Sequence, residues 1–203
     1  MGRRSGRRPR ERLSPARNAH TLVTVAGQED LIESDCATHG LERHVCVHEA
    51  GHAVAAIDHG IDFRAVVSYD DASAPRFMDG LYQAAAALDM SRTPQEVVEP
   101  DPRGAFRFAL AGVAAERAVL GDYILQGWDQ DFRFWRSGSG TTHENAQEAI
   151  EAILGKGIME FWEETYEWAE ENAARIEAVA DVLGQQETPW EILREQVEAI
   201  LRD

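Results

Sequence analysis

In the segment Leu41–His59, apolar or small residues recur at the intervals that are typical of a helix. The segment contains no proline, and Gly60 follows it as a natural C-terminal stop. Apolar or small residues share one side of the predicted helix, namely Val45, Ala53, Val54 and Ile57. The pattern therefore predicts a helix over this segment.

A β-branched and aromatic run at Phe63–Tyr69 predicts a strand directly after this helix. A second short strand is predicted near Gly80–Gln83, beyond the turn-rich segment Asp70–Asp79. The two strands would form a small sheet, and either could offer an edge to an extended peptide. Residues 91–103 carry three prolines and predict an exposed loop.

A second helix is predicted from about Gly104 to Leu120, with Gly121 ending it. Small residues on one side offer a surface for close helix contact, namely Ala109, Gly112 and Ala115. The following residues, 122–140, contain several glycines and predict a loop.

The last third of the chain has a helical pattern. Thr141 and Glu144 form a capping box that opens a helix to about Leu154. Ile158–Leu183 is a long amphipathic segment of this helical region, and a final helix is predicted to begin at Thr188-Pro189 and to run to about Leu201. The expected fold class is therefore mainly α with a small β-sheet, α+β, in which a helical bundle forms the C-terminal part.

Residues 1–20 lack an apolar period and predict a flexible arm, which we bound at residue 35, with one domain over 36–203. Residues 1–17 hold seven arginines and one glutamate, within a chain whose net charge is −16. Without them 13 basic and 35 acidic residues remain, a net charge of −22. Such an acidic body repels nucleic acid and anionic lipid, so only the arm is suited to bind nucleic acid.

The chain has two cysteines, Cys36 and Cys46, too few for a disulfide framework or a thiolate metal site. No run approaches the roughly 18 apolar residues of a membrane span, and no signal-peptide core is present. These features favour a reducing compartment and a cytoplasmic protein without a transmembrane segment.

His48 and His52 frame the sequence HEAGH, which matches the pattern HExxH inside the first predicted helix. A chance match is expected only roughly 0.03 times in a chain of this composition. Positions i and i+4 lie one above the other on a helix, so both imidazoles can bind one Zn²⁺. Glu49 would lie close enough to take a proton from a water that the zinc activates. The alternative is a surface helix that carries two histidines.

A catalytic zinc takes a third protein ligand and leaves a fourth position open. Asp58 and His59 follow at the end of the helix, but no glycine at position 55 turns the chain back toward His48. His44 lies one turn before His48, and three stacked ligands on one straight helix would span about 12 Å and cannot converge on one ion. We expect His44 to be solvated or to support a ligand, and Cys46 to be a packed thiol.

The zinc helix resembles that of the FtsH-type metallopeptidases, the proteolytic domain of a membrane-anchored ATP-dependent protease, over residues 48–53, HEAGHA. The segment 110–117, LAGVAAER, with Gly121 after it, is similar to the second-helix segment of that family. The sequence GWDQD at 127–131 falls where the family has a Gly-x-x-x-Asp loop. The C-terminal segment 173–183 and the Glu-Thr-Pro turn after it are similar to the closing helices of the family, so the likeness covers about residues 42–202.

This resemblance implies a zinc-dependent metalloendopeptidase with an HExxH helix of the zincin type. His48, His52 and Asp131 would bind Zn²⁺, and Asp129 is the alternative third ligand. Glu49 would be the general base. Glu116 occupies a family position close to the zinc, where it would orient a ligand histidine; the alternative is a solvated carboxylate.

The chain departs from the family in two ways. It has no GxxxxGK[ST] phosphate loop, so the expected partner is a polypeptide substrate in the form of peptides, loose segments or a dedicated protein, and the alternative is that an ATPase supplied by another chain assists. The resemblance suggests a hexamer as the homo-oligomer, but a dimer and a monomer also stay open here. Ser137–Gly140 also interrupts the path from Asp131 into the next helix. The alternative function is a zinc-binding regulatory or scaffolding protein with a non-catalytic peptidase-like fold.

Overall fold

The computed structural model describes residues 39–69, 76–77, 82–83, 86–123, 125–141 and 146–202. Side chains are described for all of these except residues 41, 76–77, 82–83, 125–130 and 146. The described helices are α1 Leu41–Asp58, α2 Pro94–Val98, α3 Pro102–Leu120, α4 Leu125–Ser139, α5 Ala146–Leu154, α6 Ile158–Glu171, α7 Ala173–Gly184 and α8 Arg194–Ile200. The described strands are β1 Phe63–Ser68, β2 Arg76–Phe77, β3 Tyr82–Gln83, β4 Ala86–Met90 and β5 Glu191–Leu193. The expected mainly α fold with a small sheet is confirmed.

Helix α1 is the central element, and its predicted existence and limits are confirmed. Its residues are buried on nearly every side, with Val47, Ala50 and Val54 fully inaccessible to solvent. Gly60 follows with a φ of 65°, in the left-handed region that ends helices. A helix that is covered this completely holds its polar side chains in the protein interior, where they need partners.

The sheet contains β1 between two antiparallel neighbours, β4 and β5. Val66 of β1 lies opposite Leu88 of β4 on one side and opposite Ile192 of β5 on the other. The strand prediction for Phe63–Tyr69 is confirmed, but its use as a free edge is wrong because both of its sides are paired. Among the described residues, β4 is the edge on one side of this sheet.

The second predicted strand is confirmed in part. Tyr82–Gln83 forms β3 and pairs antiparallel with Arg76–Phe77, which is β2. The neighbouring positions 80 and 81 lie outside the described residues, as do the Arg-rich arm and most of the segment Asp70–Asp79.

Helices α1 and α3 pack in direct contact through small residues, as the small-residue surface of the second helix predicts. A Cβ added to Gly51 of α1 would lie 2.6 Å from both the carbonyl oxygen of Ala111 and the Cβ of Ala115. Such distances are far inside van der Waals contact, so only glycine fits at this position. This close approach sets the distance between the HExxH helix and the rest of the core.

Two loop predictions are wrong. Residues 91–103 contain α2, which Thr93 and Glu96 open with a capping box, because Val97 and Val98 are buried against the core. Residues 122–140 contain α4, a 15-residue helix whose Trp135 is fully buried. Helix α4 runs through the predicted interruption at Ser137–Gly140 as far as Ser139, because Gly138 packs against α2.

The C-terminal third is mainly helical, as predicted, with one correction at the last helix. The segment Ile158–Leu183 is two helices, α6 and α7, separated at Asn172. The predicted start of the last helix at Thr188 is wrong, because Trp190 exchanges hydrogen bonds with Ser68 and the chain continues as β5 before α8 begins at Arg194. The predicted capping box at Thr141–Glu144 lies mainly outside the described residues, and α5 is described from Ala146.

In the described part of the chain, the helices do not include one with both the length and the apolar composition needed to cross a membrane.

Candidate metal centre

The two histidines of the HExxH pattern lie side by side on α1. His48 is 8% exposed and His52 is 4% exposed, and their Nε2 atoms are 3.1 Å apart. The spacing of four residues places both rings on the same side of the helix, as predicted. The two nitrogen atoms therefore form one side of a possible ligand set.

Asp131 supplies the third atom from α4. Its Oδ2 lies 3.1 Å from the Nε2 of His48 and 3.1 Å from the Nε2 of His52. Among the described side chains, these three residues form a group that could hold a metal ion. Asp129 lies on the same helix, but its side chain is outside the described residues, so Asp131 alone of the two candidates is placed in the group.

The spacing of the three atoms fits a small metal ion. Zinc bonds of about 2.0 to 2.1 Å in a tetrahedral arrangement separate neighbouring ligand atoms by about 3.3 Å. The three observed separations are all 3.1 Å. Two imidazole nitrogens and a carboxylate oxygen at this distance require a proton or a cation between their lone pairs. Two histidines and one carboxylate also match the donor set of catalytic zinc sites.

The second nitrogen of each imidazole is already engaged. His48 donates its Nδ1–H to Oε1 of Glu116 at 2.6 Å, and His52 donates its Nδ1–H to the carbonyl oxygen of Phe108 at 2.8 Å. Both hydrogen bonds select the tautomer whose Nε2 carries a lone pair. The protein therefore presents both Nε2 atoms as ligands without rearrangement.

Glu116, for which the family resemblance implies a place close to the zinc, lies on α3 and contacts His48. It is 1% exposed on α3, so the alternative of a solvated carboxylate is wrong. Its Oε2 accepts a second hydrogen bond, at 2.7 Å, from Nδ1 of His44. His44 is itself 1% exposed and lies behind His48, in a supporting position and not in solvent.

Glu49 lies beside His48 on α1 and is 8% exposed. Burial raises the pKa of its carboxyl group. The charges of His48 and His52 lower it, while those of Asp131 and Glu116 raise it, and the net result is a pKa above the usual range. Glu49 therefore interacts with every member of the ligand group and holds a proton more readily than an exposed glutamate.

The pKa of His48 is raised and that of Asp131 is lowered. Burial by itself lowers the pKa of His48, but hydrogen bonds with Asp131 and Glu116 outweigh it and hold this pKa well above its ordinary value. Burial by itself raises the pKa of Asp131, but the charge of His52 and hydrogen bonds from both histidines lower it to about 2. Asp131 is therefore a carboxylate.

Asp131 is the most exposed of the three residues in the group. The Asp131 side chain is 24% exposed, although both histidines are buried. The described side chains do not add a fourth residue to the group.

The other residues considered from the sequence lie elsewhere. Asp58 accepts two hydrogen bonds from the Arg175 guanidinium at the far end of α1. His59 lies nearby, with its Nδ1 3.9 Å from a carboxylate oxygen of Asp101. Cys46 is 2% exposed, and burial, with a smaller contribution from Glu42, raises the pKa of its thiol to about 11. Cys46 is the packed thiol expected from the sequence.

Three features that hold the histidine rings in place could not be predicted from the HExxH pattern. One is Gly112, whose added Cβ would lie 2.5 Å from Nε2 of His48, so the α3 backbone lies directly against this ring. The others are the Phe108 carbonyl and the contact between His44 and Glu116. The predicted small-residue surface of α3 identified Gly112 as a contact between helices, but not its histidine partner.

A scan against protein-family models finds no match for this chain, and a search of curated proteins also finds no match. The FtsH-type likeness therefore depends on the quoted residues alone.

Proposed function

We propose that this protein is a zinc-dependent metalloendopeptidase. The observation that carries the proposal is the convergence of two Nε2 atoms and one Oδ2 atom at 3.1 Å, with the buried Glu49 beside them. His48, His52 and Asp131 would hold the ion. When bound, zinc would supply Lewis acidity that activates water and polarises a carbonyl group.

Glu49 performs the proton transfers in this proposal. As general base it accepts the proton of the attacking water, and as general acid it delivers that proton to the amine of the leaving peptide. A carboxyl group with a raised pKa suits this exchange, because its pKa lies nearer the working pH. The raised pKa has a physical cause, since burial penalises the charged carboxylate.

A polypeptide substrate fits the edge of the sheet. Strand β4 packs against α1 and, among the described residues, has no strand on its outer side. A peptide paired along β4 would be held extended through backbone hydrogen bonds, which select for conformation and not for particular side chains. The chain has no phosphate-loop sequence, so we propose unfolded segments as substrates, or folded ones unfolded by an ATPase from another chain.

The test is the substitution Glu49→Gln in zinc-loaded protein, assayed on an unfolded polypeptide. We expect hydrolysis to fall about 100-fold or more, because general base catalysis typically contributes this much. Zinc content, measured by atomic absorption, should stay at the wild-type level because Glu49 is not in the ligand group. Glu42→Gln is the matched control, since Glu42 is an exposed glutamate in the first turn of the same helix.

Two results would contradict the proposal. If the Glu49→Gln protein keeps its zinc and hydrolyses peptide at the wild-type rate, Glu49 is not the base. If wild-type protein with a full complement of zinc cleaves no polypeptide, the alternative of a regulatory or scaffolding zinc protein replaces the enzyme.

A further inference from the structure

A row of polar side chains continues behind His48, away from the three ligand candidates, and it is joined by hydrogen bonds as far as His44. Glu116 binds His48 through Oε1 and His44 through Oε2. The Nε2 atom on the far side of the His44 ring lies 3.2 Å from Oδ1 of Asp122. The row therefore runs from the metal group through the protein interior to Asp122, whose side chain is 29% exposed.

We infer that His44 and Asp122 are positioning residues for the metal centre, which act through Glu116 to hold the His48 ring with its Nε2 toward the ion. This inference rests on the metal group of the proposed function, but not on peptide hydrolysis. It assigns a role to two residues that belong neither to the ligand group nor to the HExxH pattern.

Glu116 needs a second partner to be an effective clamp on His48. A glutamate side chain has three rotatable bonds, and one hydrogen bond to His48 leaves its carboxylate free to rotate about that contact. The bond from His44 holds the other oxygen, so both carboxylate oxygens have defined positions. A fixed carboxylate in turn fixes the orientation of the His48 ring and the proton on its Nδ1.

His44 is held by a hydrogen bond to Glu116 on one side and by a 3.2 Å contact with Asp122 on the other. Its side chain is fully inaccessible to solvent, and its two ring nitrogens face two carboxylates, Glu116 and Asp122. A histidine in this position serves as a rigid spacer between them. Its nitrogens point to carboxylate oxygens and not to the ion, which also explains why three histidines at four-residue intervals on α1 yield only two ligands.

The end of α3 places Asp122 where it meets His44. Gly121 has a φ of 81°, in the left-handed region, and its N–H bonds to the carbonyl oxygen of Arg117. The chain reverses at this glycine and brings the next residue back over the N-terminal part of α1. A turn that ends a helix thus supplies the last member of the row.

The experiment measures zinc affinity by competition with a chromophoric chelator, and the visible spectrum of the Co²⁺-substituted protein. His44→Leu removes both polar contacts. His44→Asn keeps a donor near the position of Nδ1 but cannot reach Asp122, and Asp122→Ala removes the outer contact while it leaves the bond between His44 and Glu116 in place. His59→Gln is the control. His59 caps the C-terminal end of α1, where its ring lies near Asp101 and away from the ligand group.

We expect His44→Leu to lower zinc affinity about 10-fold to 100-fold, the usual effect of removing an orienting partner of a ligand histidine. We expect His44→Asn and Asp122→Ala to lower it less, and all three to change the Co²⁺ absorption, which reports ligand geometry. His59→Gln should change neither. If His44→Leu does not fold, zinc affinity and Co²⁺ absorption of His44→Asn and Asp122→Ala test the inference.

Wild-type affinity and an unchanged Co²⁺ spectrum in folded His44→Asn and Asp122→Ala would overturn the inference. Failure of this inference can be distinguished from failure of the proposed function. Wild-type protein that binds no zinc would remove the metal centre itself, whereas wild-type protein that binds zinc without cleaving peptide would remove only the peptidase.

Discussion

At the scale of single residues, the metal group depends on which nitrogen of each histidine carries a proton. Glu116 and the carbonyl of Phe108 each accept an Nδ1–H, so His48 and His52 both present Nε2. Each acceptor lies on α3, and the ring of His48 also rests on the backbone of that helix at Gly112. Residues of α3 therefore determine which imidazole nitrogens of α1 are available as ligands.

The substitution Gly112→Ala tests this contact. The new Cβ would lie 2.5 Å from Cε1 and Nε2 of His48 and 2.6 Å from its Cδ2, so the ring must move. We expect a destabilisation of about 1 to 3 kcal/mol from overpacking, and a loss of zinc affinity of about 10-fold or more. Urea unfolding and chelator competition measure the two effects.

Gly157→Ala is the control for Gly112→Ala. Gly157 has an extended conformation, with a φ of −64°, and an added Cβ there would meet no atom within 4 Å. It should leave zinc affinity unchanged. A Gly112→Ala protein with wild-type zinc affinity would show that the His48 ring does not need this backbone.

At the scale of elements, α4 carries Asp131 and must be held in place against α2 and α3. Trp135 packs against Phe106 of α3, with 4.7 Å between ring centroids, and donates its indole N–H to the carbonyl oxygen of Pro102. On the α2 side, Gly138 allows direct backbone contact with Pro94. These contacts fix the axial position of α4, and thereby the distance of Asp131 from the histidines.

The substitution Gly138→Ala tests whether a contact remote from the ligands sets that distance. Its Cβ would lie 2.3 Å from the carbonyl oxygen of Pro94 and 2.5 Å from Cγ2 of Val98, so α4 must shift away from α2. We expect a destabilisation of about 1 to 3 kcal/mol and weaker zinc binding, because Asp131 moves with its helix. Isothermal calorimetry with zinc measures the binding.

Ser137→Ala is the matched control on the same helix, since Ser137 is exposed. It should bind zinc as the wild type does. Zinc affinity that survives Gly138→Ala would mean that α4 is positioned mainly by its aromatic contacts with α3.

At the scale of the whole molecule, the metal group joins distant parts of the chain. His48 and Asp131 are 83 residues apart in sequence, so an ion bound between them ties α1 to α4 in the folded state alone. The net charge of −16 adds a negative potential that attracts cations to the surface and disfavours nucleic acid. Metal binding at this group would therefore be thermodynamically linked to folding.

We predict that zinc raises the melting temperature of the protein and that Asp131→Asn abolishes most of this effect. A free zinc concentration 100 times the dissociation constant contributes about 2.7 kcal/mol. For a chain of 203 residues this corresponds to about 5 to 10 °C. Differential scanning calorimetry with and without zinc measures the shift.

Mg²⁺ at the same concentration is the control ion, because it prefers oxygen ligands and the group contains two nitrogens. It should shift the melting temperature far less. An equal zinc shift in wild-type and Asp131→Asn proteins would place the bound metal elsewhere.

Local patterns explain which elements were predictable. Helix α1 and strand β1 follow from residues that are close in sequence, and the pairing of His48 with His52 follows from the pitch of a helix. The capping signals of α2 were also present in Thr93, Pro94 and Glu96, but the three prolines of that segment favoured a loop. For α4, the glycines favoured a loop and the burial of Trp135 favoured a helix, and burial is a tertiary property.

The sequence by itself determined the helix with its two histidines and Glu49, because helical geometry converts a spacing of four residues into a shared face. Only the tertiary structure brought Asp131 to the histidines and placed His44 behind them, because these contacts span 83 and 72 residues and depend on how α3 and α4 pack. Asp131 was selected from the sequence by a family likeness and not by any local pattern. The packing of helices through glycines decides which polar side chains meet, and no property of the isolated segments contains that information.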